Sequence, residues 1–176
     1  MFDKLKYMHN FTVPPVTDRL TSYGPIHYDY VADGTCQSAF EVIPEQYRKD
    51  FRLMRMKIDT MYQSIVPPHT DSEIMTTINF YISTAATVTE FYRVDTSKLK
   101  YTQIFNQTDG VIFDKSCLTT AGSFMAKPGE AWLLDVLQPH SVVSFNKGEN
   151  RVAIALQSLI HPYAKVKEFL QETGNL

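Results

Sequence analysis

Hydrophobic and polar residues alternate along most of the chain after residue 51. In RLMRMKIDTMY, Met54, Met56 and Ile58 alternate with charged side chains, a period of two that is typical of a strand with one buried face. Later stretches show the same alternation or are rich in β-branched and aromatic residues: TTINFYIS, TVTEFYRV, GSFMAKPGEAWLLDV, SVVSFN and RVAIALQS. The turn-forming sequences KPGE and NKGEN interrupt this series. The pattern predicts an all-β body.

The two ends of the chain depart from this pattern. The N-terminal part is rich in Pro, Tyr, Asp and Gly and keeps neither period, which predicts an irregular segment with short strands at most. IPEQYRKDF is expected to form a brief helix or turn with Pro44 at its first position. Near the C-terminus, Val166, Phe169 and Leu170 form one apolar stripe of a predicted helix. We therefore expect a single domain over residues 1–176, made of an N-terminal covering segment (1–51), a β core (52–158) and a C-terminal helix (159–176).

Composition and charge narrow the classes of function. The chain has 176 residues, 44% of them hydrophobic and 20% charged, with a net charge of -2. It has no basic excess, so we expect no nucleic-acid partner. Its apolar runs are too short for a membrane span, and MFDKLKYMHNF lacks the apolar core of a signal peptide. We expect a cytoplasmic location without a membrane partner, and the sequence does not indicate the oligomeric state.

A candidate metal site begins with the stretch IVPPHTDSE. Residues two apart in a strand point to the same face, so His69 and Asp71 can present an imidazole and a carboxylate to one point. His140, in LLDVLQPHSVVSF, follows a proline as His69 does and is the candidate third ligand. Two imidazoles and one carboxylate leave three positions open on an octahedral iron. A short motif of this kind also occurs by chance, so the alternative of unrelated residues stays open.

Arg151 is the second candidate for chemistry, at the start of RVAIALQS just past the turn NKGEN. If the strands on either side of this turn formed a hairpin, His140 would lie opposite Leu156. Arg151 would then lie about 17 Å along the strand from the metal ligand. That gap suits a short dicarboxylic acid bound to the metal at one end and to the guanidinium at the other. A solvated turn charge is the alternative.

These motifs and their order resemble the 2-oxoglutarate-dependent Fe(II) oxygenase family, in particular its small bacteriophage members. The likeness covers residues 52–158 and lies in PPHTDSE, TTINFYIS, TEFYR, FMAKPGEAWLLDVLQPHSV and RVAIALQS. It implies a double-stranded β-helix, or jelly roll. It also implies that His69, Asp71 and His140 are the catalytic iron ligands and that Arg151 binds the C5 carboxylate of 2-oxoglutarate. A phage origin would make the location the host cytoplasm.

One position departs from the family pattern. The family often has Ser or Thr two residues after the arginine, where this chain has Ala153. The C5 carboxylate must then receive its second hydrogen bond from elsewhere. Tyr62 and Asn79 are the candidate co-substrate residues, and for each a hydrogen-bonded core residue remains the alternative.

The implied activity is hydroxylation with Fe(II), 2-oxoglutarate and O2, releasing succinate and CO2. Because basic residues are neither clustered nor interleaved with aromatic residues, we expect a small metabolite, an amino acid or a peptide side chain as substrate. Residues 95–123 are expected to form a loop or loose hairpin, a length typical of a lid or binding element. Two alternatives remain: a cupin-type domain that binds a metal without oxygenase activity, and a non-catalytic jelly roll whose three candidate ligands do not assemble.

Overall fold

The fold is built from two antiparallel sheets that face each other. The computed structural model describes residues 1–11, 26–30, 34, 36–59, 66–103, 110–145 and 148–176. The strands of these ranges are β1 Phe2–Met8, β2 Ile26–Tyr30, β3 Phe51–Asp59, β4 Val66–Thr70, β5 Thr76–Ser83, β6 Thr87–Val94, β7 Tyr101–Gln103, β8 Val111–Phe113, β9 Leu118–Phe124, β10 Glu130–Leu134, β11 His140–Ser144 and β12 Asn150–Ser158.

Helices are few in the same ranges. One α-helix, α1, runs over Tyr163–Glu172 and confirms the helix expected at the C-terminal end. The short 3-10 helices cover Gln37–Val42, Glu45–Asp50, Thr96–Lys98 and Lys115–Cys117. None of the helices in the described part of the chain is long and apolar enough to cross a membrane.

The strand order identifies the fold. The first sheet has the order β1-β10-β5-β12-β3-β2, and the second has the order β7-β8-β4-β11-β6-β9. From β3 to β6 and again from β10 to β12, each successive strand lies in the sheet opposite to its predecessor. Two antiparallel sheets filled alternately in this way form a double-stranded β-helix. The predicted fold class, an all-β jelly roll with a C-terminal helix, is therefore confirmed.

Both faces of the first sheet are covered. Its outer face packs against α1 through a cluster that includes Leu53, Leu156 and Phe169. Met56 and Ile58, of opposite parity in β3, line the interior between the sheets instead. The alternation predicted for β3 is therefore present, but Leu53 and Phe51 on its other face are buried as well. The sequence pattern missed this second buried face because the outer cover comes from segments distant in the chain.

The N-terminal segment contributes strands to the first sheet. Strand β1 pairs with β10 at one edge, and β2 pairs with β3 at the other. Within 95–123, the described strands β7 and β8 pair antiparallel as a hairpin, and the greater part of β9 follows them. That hairpin pairs with β4 and so extends the second sheet beside His69.

The expected hairpin between β11 and β12 is wrong. Strand β11 pairs with β4 and β6 in the second sheet, whereas β12 pairs with β3 and β5 in the first. His140 lies opposite His69 and Phe91, while Leu156 lies opposite Leu53 and Ile78. The chain crosses between sheets after β11, so the two strands do not share a ladder. Arg151 consequently belongs to the wall opposite His140.

Candidate metal centre and adjoining cavity

Three candidate ligands meet where β4 ends and β11 begins. His69 is in β4, Asp71 follows the end of that strand, and His140 is the first residue of β11, in register with His69. Asp71 Oδ1 lies 3.3 Å from His69 Nε2 and 4.0 Å from His140 Nε2. One ligand atom from each side chain falls within 4.8 Å of the others. Donors about 2.1 Å from a shared ion lie about 3 to 3.5 Å apart, so the three side chains fit one metal with a small contraction.

The two imidazoles are oriented by the same local device. His69 Nδ1 lies 2.8 Å from the carbonyl oxygen of Pro67, and His140 Nδ1 lies 3.0 Å from that of Gln138. A carbonyl oxygen only accepts, so Nδ1 of each ring carries a proton, and in the neutral form of the ring Nε2 has the lone pair that a metal takes. Each carbonyl lies two residues before its histidine, across a proline. The X-Pro-His pattern in the sequence is the signal from which this support can be recognised.

Asp71 is held by the segment that leads into His140. Its backbone N–H donates to the carbonyl oxygen of Val136 at 3.1 Å. Val136 lies in the turn between β10 and β11, four residues before His140. One short segment therefore positions both the carboxylate and the second imidazole.

Burial and neighbouring charges shift the pKa values of the two histidines in opposite directions. Burial, followed by the neighbouring positive charge of His69, lowers the pKa of His140 to about 4. Burial also disfavours the charged form of His69, but the hydrogen bond and charge of Asp71 outweigh it and raise its pKa. For Asp71, burial is outweighed by the hydrogen bond from His69 and the charges of both histidines, so its pKa is lowered. At neutral pH the centre therefore offers an ionised carboxylate and a neutral His140.

A cavity of about 340 Å³ lies between the sheets next to the centre. His69, Asp71, His140, Asn79 and Arg151 all line it. Apolar side chains, among them Met56, Ile58, Val66 and Val142, make up much of its wall. A volume of this size holds a small organic molecule and places its ends against polar groups on both sheets.

Arg151 is a charged group on the wall opposite His140. It is only 2% exposed and donates from Nη1 to Thr87 Oγ1 at 3.2 Å and to Thr89 Oγ1 at 3.0 Å. Its Nη2 donates to the hydroxyl of Tyr81 at 2.9 Å. These partners are all neutral hydroxyls, and among the described residues its Nε has no acceptor and its charge has no carboxylate. A buried guanidinium without a counter-charge is costly, so the arrangement suits an anion that comes from outside the chain.

Of the other two predicted site residues, Asn79 and Tyr62, the structure describes Asn79. Asn79 lines the cavity, is 5% exposed and accepts a hydrogen bond from Thr77 Oγ1 at 3.3 Å. No described residue accepts from its amide nitrogen. Tyr62 lies outside the described residues. Tyr81, Thr87 and Thr89 were not predicted as site residues. They lie in β5 and β6, which belong to opposite sheets, and their spacing shows only the period of two that any half-buried strand has.

Known proteins that are similar to this chain resemble it in structure. No protein-family model matches the chain, and no curated protein sequence matches it. Vicilin from hazelnut, Corylus avellana, is a similar solved structure, with 13% identity over 66% of this chain and 26% of that chain and a TM-score of 0.41. EvdO2 from Micromonospora carbonacea, complexed with 2-oxoglutarate, shows 14% identity over 63% of this chain and 53% of its own, with a TM-score of 0.39.

A third similar structure is salicylate 1,2-dioxygenase from Pseudaminobacter salicylatoxidans. It shows 8% identity over 86% of this chain and 30% of its own, with a TM-score of 0.37. The chain thus spans between 26% and 53% of the length of these three proteins. At these identities and TM-scores, the likenesses assign neither a family nor an activity to the chain. What the structure itself establishes is a jelly roll whose cavity combines a candidate metal centre with a buried arginine.

Proposed function

We propose that this protein is a 2-oxoglutarate- and Fe(II)-dependent dioxygenase. Its reaction would hydroxylate a small metabolite, an amino acid or a peptide side chain and convert 2-oxoglutarate and O2 into succinate and CO2. The observation that carries the proposal is the buried charge of Arg151, which has no described carboxylate partner and lines the same cavity as His69, Asp71 and His140. A metal centre alone gives no reason to bury such a charge.

In this proposal His69, Asp71 and His140 would hold Fe(II) at the edge of the cavity, and such a ligand set leaves coordination positions for other ligands. Iron, together with 2-oxoglutarate and O2, supplies the oxidising chemistry when bound. The protein's own contribution is to fix the ligand atoms. The backbone carbonyls of Pro67 and Gln138 set both imidazole orientations, and Val136 sets the position of Asp71.

Arg151 takes the C5 carboxylate of 2-oxoglutarate in this proposal. Thr89 accepts from Arg151 and has no described acceptor for its own hydrogen, which is therefore available to the same carboxylate. Thr87 differs because its hydroxyl already donates to the carbonyl oxygen of Thr84 at 2.7 Å. Thr89, from the opposite sheet, can thus supply the hydrogen bond that Ala153 cannot.

Asn79 is the proposed second polar contact of the co-substrate. Its side-chain oxygen is occupied by Thr77, so its amide nitrogen is the group that can donate into the cavity. The assignment of Tyr62 to the co-substrate stays a prediction from the sequence. The apolar wall formed by Ile58, Val66 and Val142 excludes water from the space between these groups.

Turnover of 2-oxoglutarate tests this function. The protein is supplied with Fe(II), 2-oxoglutarate, ascorbate and O2, and succinate and O2 consumption are measured with and without small-molecule substrates. We expect succinate to form in proportion to the O2 consumed in the wild type and in His161→Ala, a histidine variant remote from the cavity. We expect none from His140→Ala. Tight iron binding without succinate formation under any of these conditions would contradict the proposal. It would indicate a cupin-type metal-binding domain.

A further inference from the structure

A second arginine lines the cavity beyond the metal centre. Arg52 is the second residue of β3 and lies opposite Gln157 of β12. Thr77 of β5 lies on the other side of Gln157 and also lines the cavity. Neither the metal centre nor the proposed 2-oxoglutarate contacts use this group.

Arg52 is held in place through one edge and one face of its guanidinium. Its Nε donates to Gln157 Oε1 at 3.0 Å, and the group lies 4.8 Å from the centroid of the Tyr30 ring. Nη1 and Nη2 have no acceptor among the described residues, and no described carboxylate forms an ion pair with the group. The two terminal nitrogens are therefore free to form the two-pronged pair that a carboxylate matches.

Gln157 adds a neutral donor beside this cation. It is 3% exposed and lines the cavity. Its side-chain oxygen is occupied by Arg52, whereas its amide nitrogen has no acceptor among the described residues. This nitrogen can therefore donate to a ligand oxygen that enters the cavity.

The sheet register relates Arg52 to the segment that holds Asp71. Leu134, Thr77, Gln157 and Arg52 form one row across four neighbouring strands of the first sheet. Three strand spacings separate the ends of the row, about 14 Å. The end at Leu134 lies two residues before Val136, which holds the backbone of Asp71. A small molecule bound at Arg52 can therefore extend towards the metal.

The two arginines are too far apart to share one anion. Arg151 lies six residues before Gln157 in β12, about 20 Å along the strand. Arg151 also donates to hydroxyls of β5 and β6, whereas Arg52 contacts β12 and β2. The cavity is thus lined by two arginines at separate places on the first sheet.

We propose that Arg52 and Gln157 bind the carboxylate of a small-molecule substrate, such as an amino acid, so that a carbon remote from that carboxylate approaches the metal. The role as a substrate site rests on the proposed dioxygenase function, whereas carboxylate binding itself does not. Arg52 forms the charge-assisted pair, and the Gln157 amide donates to the same carboxylate. The apolar wall of the cavity accommodates the carbon chain.

A binding experiment with matched ligands tests this site. The full chain is titrated under nitrogen with each proteinogenic L-amino acid and with the corresponding C-terminal amide, both alone and with Fe(II) and 2-oxoglutarate, and binding is followed by ligand-observed NMR. We expect at least one acid to bind about tenfold or more tightly than its amide. Arg52→Gln should reduce the affinity for the acid to that for the amide, and Arg52→Lys should have an intermediate effect. Arg93→Gln, at an exposed position of β6, is the matched control and should leave binding unchanged.

The outcomes separate this inference from the proposed function. Equal binding of acids and amides, unchanged binding by Arg52→Gln, or no binding of any acid at millimolar concentration would overturn the site. Inorganic phosphate that binds at Arg52 more tightly than every acid would overturn its assignment to a carboxylate. Arg52-dependent acid binding by a protein that fails to turn over 2-oxoglutarate would retain the site and refute the oxygenase. Turnover without Arg52-dependent acid binding would refute the site alone.

Discussion

In the described part of the chain, histidine pairs with aspartate at two places, which differ in what surrounds the imidazole. In one, His69 and His140 share Asp71 at the edge of the cavity. In the other, His161 Nε2 lies 2.9 Å from Asp50 Oδ2 just before α1. Both pairs join a histidine to a carboxylate, so residue type alone does not distinguish a metal centre from a structural contact.

The difference lies in the use of the imidazole nitrogens and in the neighbouring space. The His161 ring stacks on Phe51 and meets the rings of Tyr47 and Phe169 edge-on, so aromatic side chains surround it. Its Nε2 is engaged by a single carboxylate, and the described residues provide no third ligand there. In the cavity, two Nε2 atoms converge on one carboxylate. A metal centre thus needs convergent lone pairs with open space beside them.

Replacement of His140 should have the largest effect. Loss of a residue that only hydrogen-bonds to a metal ligand lowers metal affinity by roughly 10- to 100-fold. His140→Ala removes one of the three ligands themselves, so we expect a larger fall in Fe(II) affinity. The unfolding temperature should change little, because the cavity can take up water in place of the ring. Calorimetric titration with Fe(II) under nitrogen measures the affinity. Wild-type affinity in His140→Ala would contradict the assignment of this side chain.

Replacement of Arg151 should weaken the binding of 2-oxoglutarate and leave the binding of Fe(II) unchanged. Arg151→Gln removes a charged, two-pronged partner, so we expect 2-oxoglutarate affinity to fall about 100-fold. Fe(II) affinity should stay close to that of the wild type, because Arg151 is not a ligand. Without 2-oxoglutarate the variant should be no less stable than the wild type, since it no longer buries an uncompensated charge. A parallel loss of metal binding would mean that Arg151 only supports the fold around the centre.

Metal affinity should depend on pH through His69. A metal must displace the proton of His69, whose pKa is raised above its ordinary value of 6.5. Below that raised pKa, Fe(II) affinity should fall about tenfold for each unit by which the pH is lowered. His140, with a pKa of about 4, stays neutral over this range and adds no dependence. Titrations at several pH values measure the slope, and an affinity independent of pH near neutrality would exclude His69 as a ligand.

Replacement of His161 should affect stability and leave the centre intact. His161→Ala removes a hydrogen bond to Asp50 and the aromatic packing, so we expect the free energy of unfolding to fall by about 1 to 3 kcal/mol. Metal and 2-oxoglutarate affinities should remain at wild-type values. Chemical denaturation with and without Fe(II) measures both quantities. Weaker metal binding in this variant would contradict the assignment of His161 to a purely structural role.

Much of the fold was predictable because its information is local. The alternation in β3 and the apolar stripe of α1 depend on residues near each other in the chain, and both elements form where they were expected. The order of the HxD pair, the second histidine and the arginine likewise identified groups that the structure brings to one cavity. Their roles as metal and co-substrate ligands stay predictions that the experiments above test.

The partners of Arg151 were not predictable because they depend on the pairing of distant strands. Thr87 and Thr89 belong to β6 in the second sheet, and they reach Arg151 only because β12 lies in the sheet opposite. Periodicity within a strand reports which face is buried and contains no information on which strand lies across the interior. The incorrect hairpin of β11 and β12 has the same origin.

We propose that His69, Asp71, His140 and Arg151 form one composite site for Fe(II) and 2-oxoglutarate. The most direct measurement is an anaerobic titration of the Fe(II)-loaded protein with 2-oxoglutarate, followed by the visible metal-to-ligand charge-transfer absorption. We predict a band that requires both components, persists in His161→Ala, disappears in His140→Ala and needs about 100-fold more 2-oxoglutarate in Arg151→Gln. An iron-loaded wild type without this band, or a band unaffected by Arg151→Gln, would contradict the claim.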